Sequence, residues 1–171
     1  FPTGDNSGSD LYNIKDGGIG KVNLVIDGKY IVRRGYTAVA GYPNLYVDTA
    51  TSEYHVFDLD GLKDLHDFFY ANKMANSTWG KTYNISADID ADGYTWEGIW
   101  MNTGSSTSNG LILNGNNHTI ENFTIKDYMF ASTPTGTVEA STPGEVKNIT
   151  MKNVTVNGSS HDATVFWGSC Y

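Results

Sequence analysis

Ile120-Glu-Asn-Phe-Thr-Ile-Lys-Asp127 and Val146-Lys-Asn-Ile-Thr-Met-Lys-Asn153 agree closely at six of eight positions: apolar, Asn, apolar, Thr, apolar, Lys. Their offset is 26 residues, and an internal repeat of about 20–50 residues is the mark of a stacked, solenoid-type fold. Strict strand alternation fails inside each unit, because Asn122 stands between the apolar Ile120 and Phe123. A bend at Asn122 lets Ile120, Phe123 and Ile125 all face a common interior. Asn is suited to such a bend because it tolerates the left-handed backbone conformation. Asn148 takes the same place in the second unit. The 26-residue offset therefore predicts Asn122 over Asn148 as an inward amide ladder, of the kind that Asn side chains form along a stack axis. It also predicts Phe123 over Ile149 and Ile125 over Met151. Thr124 and Thr150 then face outward with Lys126 and Lys152, the two lysines repelling each other across a gap that solvent screens. Leu111-Ile-Leu-Asn-Gly115 and Tyr83-Asn-Ile-Ser86 read as further strands of the same stack.

Working outward, helical periodicity is convincing only over residues 60–74. There Leu62, Leu65 and Phe69 recur on one face with Phe68 beside them, and Asp60 is placed to cap the start. Toward the N-terminus, KVNLVIDGKYIV (21–32) reads as two strands around Asp27-Gly28, a pair suited to a tight hairpin turn. Residues 36–47 continue the β-type pattern, and residues 1–9 are a turn-rich lead-in.

The whole composition agrees with a β-rich chain. Of 171 residues, 13% are aromatic and 18% charged, with the polar remainder rich in Gly, Asn, Ser and Thr. That balance favours strands and turns over helices. The net charge of −8 leaves no basic patch for nucleic acid and disfavours docking on anionic lipid. No apolar run is long enough to span a bilayer as a helix. The single cysteine, Cys170, excludes an internal disulfide. A chain that begins at Phe1 without Met is read as a processed form or a piece of a longer protein.

The order of these segments resembles a known group. A helix over 60–74, then GKTYNISADIDADGYTW (80–96), then LNGNNHTIENFTI (113–125) is similar to the right-handed parallel β-helices of bacterial surface proteins with GLUG-type repeats, a pectin-lyase-like fold found in gut Bacteroidetes. The likeness covers about residues 55–171. The small-residue strand of that pattern is present here only as YMFAS (128–132) and TVFWGS (164–169). The KVNLVIDG run resembles, over a short stretch, the closing strand of fimbrillin-type pilin domains. The resemblance implies a mainly β chain: a linker and small β segment over 1–54, then a capping α-helix and a short right-handed β-helix over 55–171. It also implies an extracellular location on the bacterial outer surface, and a non-catalytic role as an adhesin, a pilus-associated protein or a ligand-binding module. Its partners would be cell-surface glycans or surface proteins, and its open C-terminal end could stack on further coils or another chain. A structural spacer is one alternative. The other is a polysaccharide lyase or hydrolase on the same scaffold, which a groove with clustered carboxylates and a cationic residue would favour.

The residues offer few conventional sites. Asp88, Asp90 and Asp92, followed by Gly93, have the spacing of the first half of a calcium loop, but the twelfth position is Ile99 where calcium needs a bidentate Glu. They read as turn caps, with calcium as the only cofactor the sequence suggests. Trp79, Tyr94, Trp96 and Trp100 crowd one stretch and read as a platform for sugar rings or, alternatively, as a hydrophobic cap on the first coil. The histidines 55, 66, 118 and 161 show no metal-ligand spacing. No GxSxG or phosphate-binding loop occurs, so no catalytic residue is assigned. Seven Asn-x-Ser/Thr sequons, at Asn76, Asn84, Asn117, Asn122, Asn148, Asn153 and Asn157, are read as by-products of the repeat rather than glycan acceptors.

Overall fold

The computed structural model describes residues 23–26, 29–33, 35–72, 80–102, 111–133, 144–158 and 164–168. The chain is mainly β, with thirteen strands and one α-helix among these residues. It divides into two compact units, residues 1–35 and 36–171. In the first, strands β1 (Asn23–Ile26) and β2 (Lys29–Arg33) pair antiparallel, with Ile26 beside Lys29; the turn expected at Asp27-Gly28 lies outside the described residues.

The second unit opens with β3 (Tyr36–Val39), β4 (Tyr42–Asp48) and β5 (Tyr54–Val56), joined antiparallel. These strands therefore belong with the rest of the stack, and the division falls earlier than the expected 54/55. Helix α1 (Leu59–Asn72) follows. Its cap is Asp58 rather than Asp60: Asp58 Oδ1 accepts from the Gly61 N–H at 2.8 Å, while Asp60 sits in the first turn and pairs with Lys63. Leu62, Leu65, Phe68 and Phe69 are buried, as the periodicity requires.

From β6 onward every pairing is parallel. Strands β6 (Thr82–Ile85), β7 (Ile89–Asp90) and β8 (Thr95–Asn102) make one rung. Strands β9 (Ile112–Asn114) and β10 (Thr119–Thr133) make the next. Strands β11 (Glu145–Lys147), β12 (Thr150–Asn157) and β13 (Trp167–Gly168) make the last. One sheet runs β11-β9-β6-β5-β4-β3, and a second joins β12, β7, β8 and β13 to β10. The small-residue segments do meet, with Phe130 beside Trp167 and Ala131 beside Gly168.

The register corrects the 26-residue alignment. Ile89 stands beside Ile120 and Ile120 beside Met151, an offset of 31 residues. Phe123 lies beside Val154 and Ile125 beside Val156, not Ile149 and Met151. The corner before β12 sets the final offset, trimming it from 33 at Asn114–Lys147 to 31 at Thr119–Thr150. Between matched strand positions, rung two spends four residues, Gly115–His118, where rung three spends only Asn148 and Ile149. The sequence Met151-Lys-Asn-Val-Thr-Val matches Ile120-Glu-Asn-Phe-Thr-Ile as well as the segment five residues earlier does, and it is this later copy that pairs with β10, while Val146 pairs with Leu113. The same register removes the expected lysine repulsion. Lys126 Nζ reaches Glu97 Oε2 at 2.9 Å, and Lys152 stands beside Glu121.

Asn122 and Asn148 are therefore not stacked on each other, and neither is a fully buried inward residue: Asn122 is half-buried and Asn148 exposed. The bend itself is as expected, since both have positive φ, 55° and 51°. They belong to two separate ladders. In one, Asn148 Nδ2 donates to Asn114 Oδ1 (3.3 Å), Asn114 Nδ2 to Asn84 Oδ1 (3.1 Å), and Asn84 Nδ2 to Glu53 Oε2 (3.0 Å). In the other, Asn153 Nδ2 donates to Asn122 Oδ1 (2.6 Å) and Asn122 Nδ2 to Asp90 Oδ1 (2.9 Å). Each ladder ends on a carboxylate at its N-terminal end. A carboxylate only accepts, so the amide facing it must donate and turn its oxygen to the next rung. Glu53 and Asp90 thereby set the direction of every amide above them.

The interior is apolar and continuous. Tyr83, Ile85, Ile89, Trp96, Ile99, Leu111, Leu113, Ile120, Phe123, Ile125 and Phe130 are all 2% exposed or less. Helix α1 closes the N-terminal end, where Phe69 packs edge-on to Tyr83 (4.6 Å) and Phe130 (5.4 Å).

Candidate functional site

Parallel stacking puts equivalent residues of successive rungs side by side, about 4.8 Å apart. On the outward face of β7, β10 and β12 this aligns Asp90 with Glu121 and Glu121 with Lys152. Together with Asp88, Ile89 and Thr119 they line an open groove of about 300 Å³. All three rungs contribute, so the groove exists only in the stacked chain.

The carboxylates on its floor are tied into the backbone. Asp88 Oδ1 accepts from the Thr119 N–H at 2.8 Å and lies 3.2 Å from His118 Nδ1. Asp90 Oδ1 accepts from Asn122 Nδ2 and, at 2.9 Å, from the Asp92 N–H. The Thr119 N–H, reinforced by the His118 contact, holds the Asp88 carboxyl below the usual range. The Asn122 amide and the Asp92 N–H do the same for Asp90. Both stay ionised near neutrality, so neither is a reservoir for a catalytic proton. Lys152 lies close enough to favour the ionised Asp88. The groove thus combines three carboxylates with one ammonium and a hydroxyl.

These shifts have a consequence for stability. A depressed folded-state pKa stabilises the fold above the unfolded value, and that contribution is lost as pH falls through the folded value. The urea midpoint should hold from pH 7 to 5 and fall below about pH 3.9, the ordinary Asp value. Asp90→Asn keeps an oxygen acceptor but no titrating charge, so its midpoint should fall less steeply. Equal slopes for the two proteins below pH 4 would remove Asp90 from this role.

Asp88, Asp90 and Asp92 run into a corner of the first rung. Ala91-Asp-Gly-Tyr94 spends four residues where Asn122-Phe123 spends two, which shortens the offset from 31 at Asp90–Glu121 to 29 at Thr95–Thr124. The two extra residues turn through positive φ, 49° at Asp92 and 72° at Gly93. Among the described residues no group of three or more His, Cys, Asp or Glu side chains is arranged to hold a metal ion.

The aromatic platform is corrected at its centre. Trp96 is fully buried, and its Nε1–H donates to the Met129 carbonyl at 3.0 Å. Tyr94 is half-buried and stacked on Phe123 at 6.4 Å. Burial, with the nearby Asp67 and Glu97 charges, pushes its phenol up to about 12. Both side chains serve the interior because they follow the same inward alternation as Phe123 and Ile125. Trp100 lies on β8 beside Ala131, and Trp79 lies outside the described residues, as do Asn76, His161 and Cys170. His66 is buried under Trp96, where its Nε2 donates to the Glu97 carbonyl at 3.0 Å.

Sequence reasoning named Asp88 and Asp90 but missed Thr119 and Glu121, and it placed Lys152 only as a surface residue. An offset of 31 in place of 26 would have aligned Asp90, Glu121 and Lys152 in one column. No protein-family model, curated protein or solved structure matches this chain.

Proposed function

We propose that the chain winds as a short right-handed β-helix and acts as a non-catalytic binding module on a bacterial surface, its groove receiving a neutral, hydroxyl-rich glycan. Parallel ladders at offsets near 30 residues support the winding, and right-handed crossovers are the rule for parallel strands. The surface location rests on the resemblance of residues 80–96 and 113–125 to GLUG-type proteins.

The observation that carries the function is the column Asp90-Glu121-Lys152, built across three rungs. Carboxylates accept from sugar hydroxyls and an ammonium donates to them, which suits a ligand bearing both donors and acceptors at each carbon. Charge selects within that class. Three carboxylates against one lysine, on a chain of net charge −8, repel uronate-rich polymers.

The groove also favours a second reading, a carbohydrate-active enzyme, because it clusters carboxylates beside a cation. A hydrolase needs one carboxyl raised to serve as acid, whereas Asp88 and Asp90 are both lowered. A lyase acts on uronates, which this groove repels. Titration against neutral and uronate oligosaccharides, with reducing ends and unsaturated products followed in parallel, separates the readings. Neutral glycans should bind without turnover, and Glu121→Gln with Lys152→Ala should weaken binding at least tenfold while the melting temperature holds. Product formation would establish the enzyme, and absence of any glycan binding would leave the structural spacer.

A further inference from the structure

We infer that the groove takes an extended 1,4-β-linked glycan lying along the stack axis, with one sugar over each rung. The inference rests on the glycan reading above and narrows it to a linkage, a direction and a length.

The strand register fixes the layout of the groove wall. Asp90, Glu121 and Lys152 stand side by side in one column. Two residues earlier on each strand, Asp88, Thr119 and Thr150 make a second. Thr119 lies beside Thr150, and its N–H donates to the Asp88 carboxylate at 2.8 Å. The residues between the columns, Ile89, Ile120 and Met151, pack into the interior, so both columns face outward. Asp88, Asp90, Thr150 and Lys152 are exposed, and Thr119 and Glu121 half-buried.

Two spacings follow. Side chains within a column are about 4.8 Å apart along the axis, and the columns, two strand residues apart, are separated by about 7 Å. The first spacing is close to the advance of one residue in an extended pyranose chain. The second is close to the width of a ring with its equatorial hydroxyls. A chain laid along the axis therefore presents each ring to one pair of side chains: Asp88 and Asp90, then Thr119 and Glu121, then Thr150 and Lys152. Sugar hydroxyls both donate and accept, which suits carboxylates, threonine hydroxyls and an ammonium in turn.

The other direction is closed by the bends. On rung two the wall lies between left-handed residues at Asn117 (φ 66°) and Asn122 (φ 55°), so a chain laid along the strand has room for a single ring. Linkage follows from the straightness of the columns. A 1,4-β linkage leaves each ring through equatorial bonds on opposite sides and keeps successive rings in line. A 1,4-α or 1,3-β linkage curves the chain and lifts it off a straight column after one or two rings. Three rungs carry these pairs among the described residues, so contact should stop growing at three sugars.

Calorimetric titration of the full chain with cellobiose, cellotriose, cellotetraose, maltotriose and laminaritriose tests all three features. Affinity should rise at least tenfold from cellobiose to cellotriose and then level off at cellotetraose. Maltotriose and laminaritriose should bind at least tenfold more weakly than cellotriose. Lys152→Ala removes the ammonium of the third rung, so this variant should bind cellotriose no better than it binds cellobiose. Equal affinity for cellotriose and maltotriose, or no gain from the third sugar, would overturn the axial chain and leave a glycan-binding groove standing. Absence of binding by all five would overturn it as well, and the titration with other neutral glycans described above then shows whether the glycan reading falls with it.

Discussion

Trp96→Ala should cost about 4 kcal/mol of folding stability, within the range of about 3–5 kcal/mol for truncating a buried Trp or Phe. The indole is fully buried, with His66 at 4.8 Å, Phe130 at 5.8 Å and Phe123 at 6.2 Å between ring centres. It joins helix α1 to the first two rungs of the stack. Removing it opens a cavity that rungs held by backbone ladders cannot collapse to fill, and it orphans the Met129 carbonyl. A buried acceptor left without its donor costs about 1–3 kcal/mol by itself. Against a total stability of about 5–15 kcal/mol, urea denaturation should show a midpoint lowered by about a quarter or more. Trp96→Phe should fall between the two proteins, since it keeps ring volume but not the N–H. If Trp96→Ala melted with the parent and lost only glycan binding, the indole would be a surface platform after all.

Gly115→Ala should cost about 3 kcal/mol, at the upper end of typical overpacking penalties. Gly115 is buried at the first corner of rung two, where rung three crosses directly over it. A Cβ there would run into the carbonyl oxygen of Asn148 and the Cα and Cβ of Ile149. The obstacles are mostly backbone, held by the Gly115 N–H to Lys147 carbonyl bond (2.8 Å) and the Asn117 N–H to Asn148 carbonyl bond (2.7 Å). No side chain can swing aside, so the rung must lift and both hydrogen bonds lengthen. Gly93→Ala supplies the control. Gly93 has φ +72°, and a methyl group added there would meet nothing within 4 Å, so only the left-handed backbone penalty of about 1–2 kcal/mol applies. Melting temperatures of the two variants should therefore separate, with Gly115→Ala the lower. The reverse order would mean that rung three does not cross at Gly115.

The corner at Gly115 also marks where sequence reading lost the register. The eight-residue match was real, but Asn148-Ile-Thr-Met and Asn153-Val-Thr-Val satisfy the same Asn–apolar–Thr–apolar pattern. Pattern matching cannot choose between two copies five residues apart, and it took the earlier, whose Val146 pairs with Leu113 and not with Ile120. The candidate groove suffered from the same cause. Glu121 and Lys152 have no motif of their own, and they become neighbours of Asp90 only through an offset of 31. Trp96 was left open between a sugar platform and a hydrophobic cap beside the helix, and its burial against His66 fits the cap. Large aromatics in a Gly- and Asp-rich stretch look exposed until the alternation of Trp96 with Glu97 is set against the interior residues Ile125 and Phe123.

What the amino-acid sequence determined by itself is local. The left-handed bends at Asn122 and Asn148, the amphipathic helix over Leu59–Asn72 and the antiparallel pairing of β1 with β2 follow from propensities that a few neighbouring residues carry. So does the mainly β character of the chain. Only the tertiary structure decided which Asn lies over which, that Glu53 and Asp90 orient the amide ladders, and that carboxylates and a lysine from three rungs share one groove. Those are contacts between residues about 30 positions apart, and their partners are chosen by corner lengths and by the close approach of backbone at Gly115.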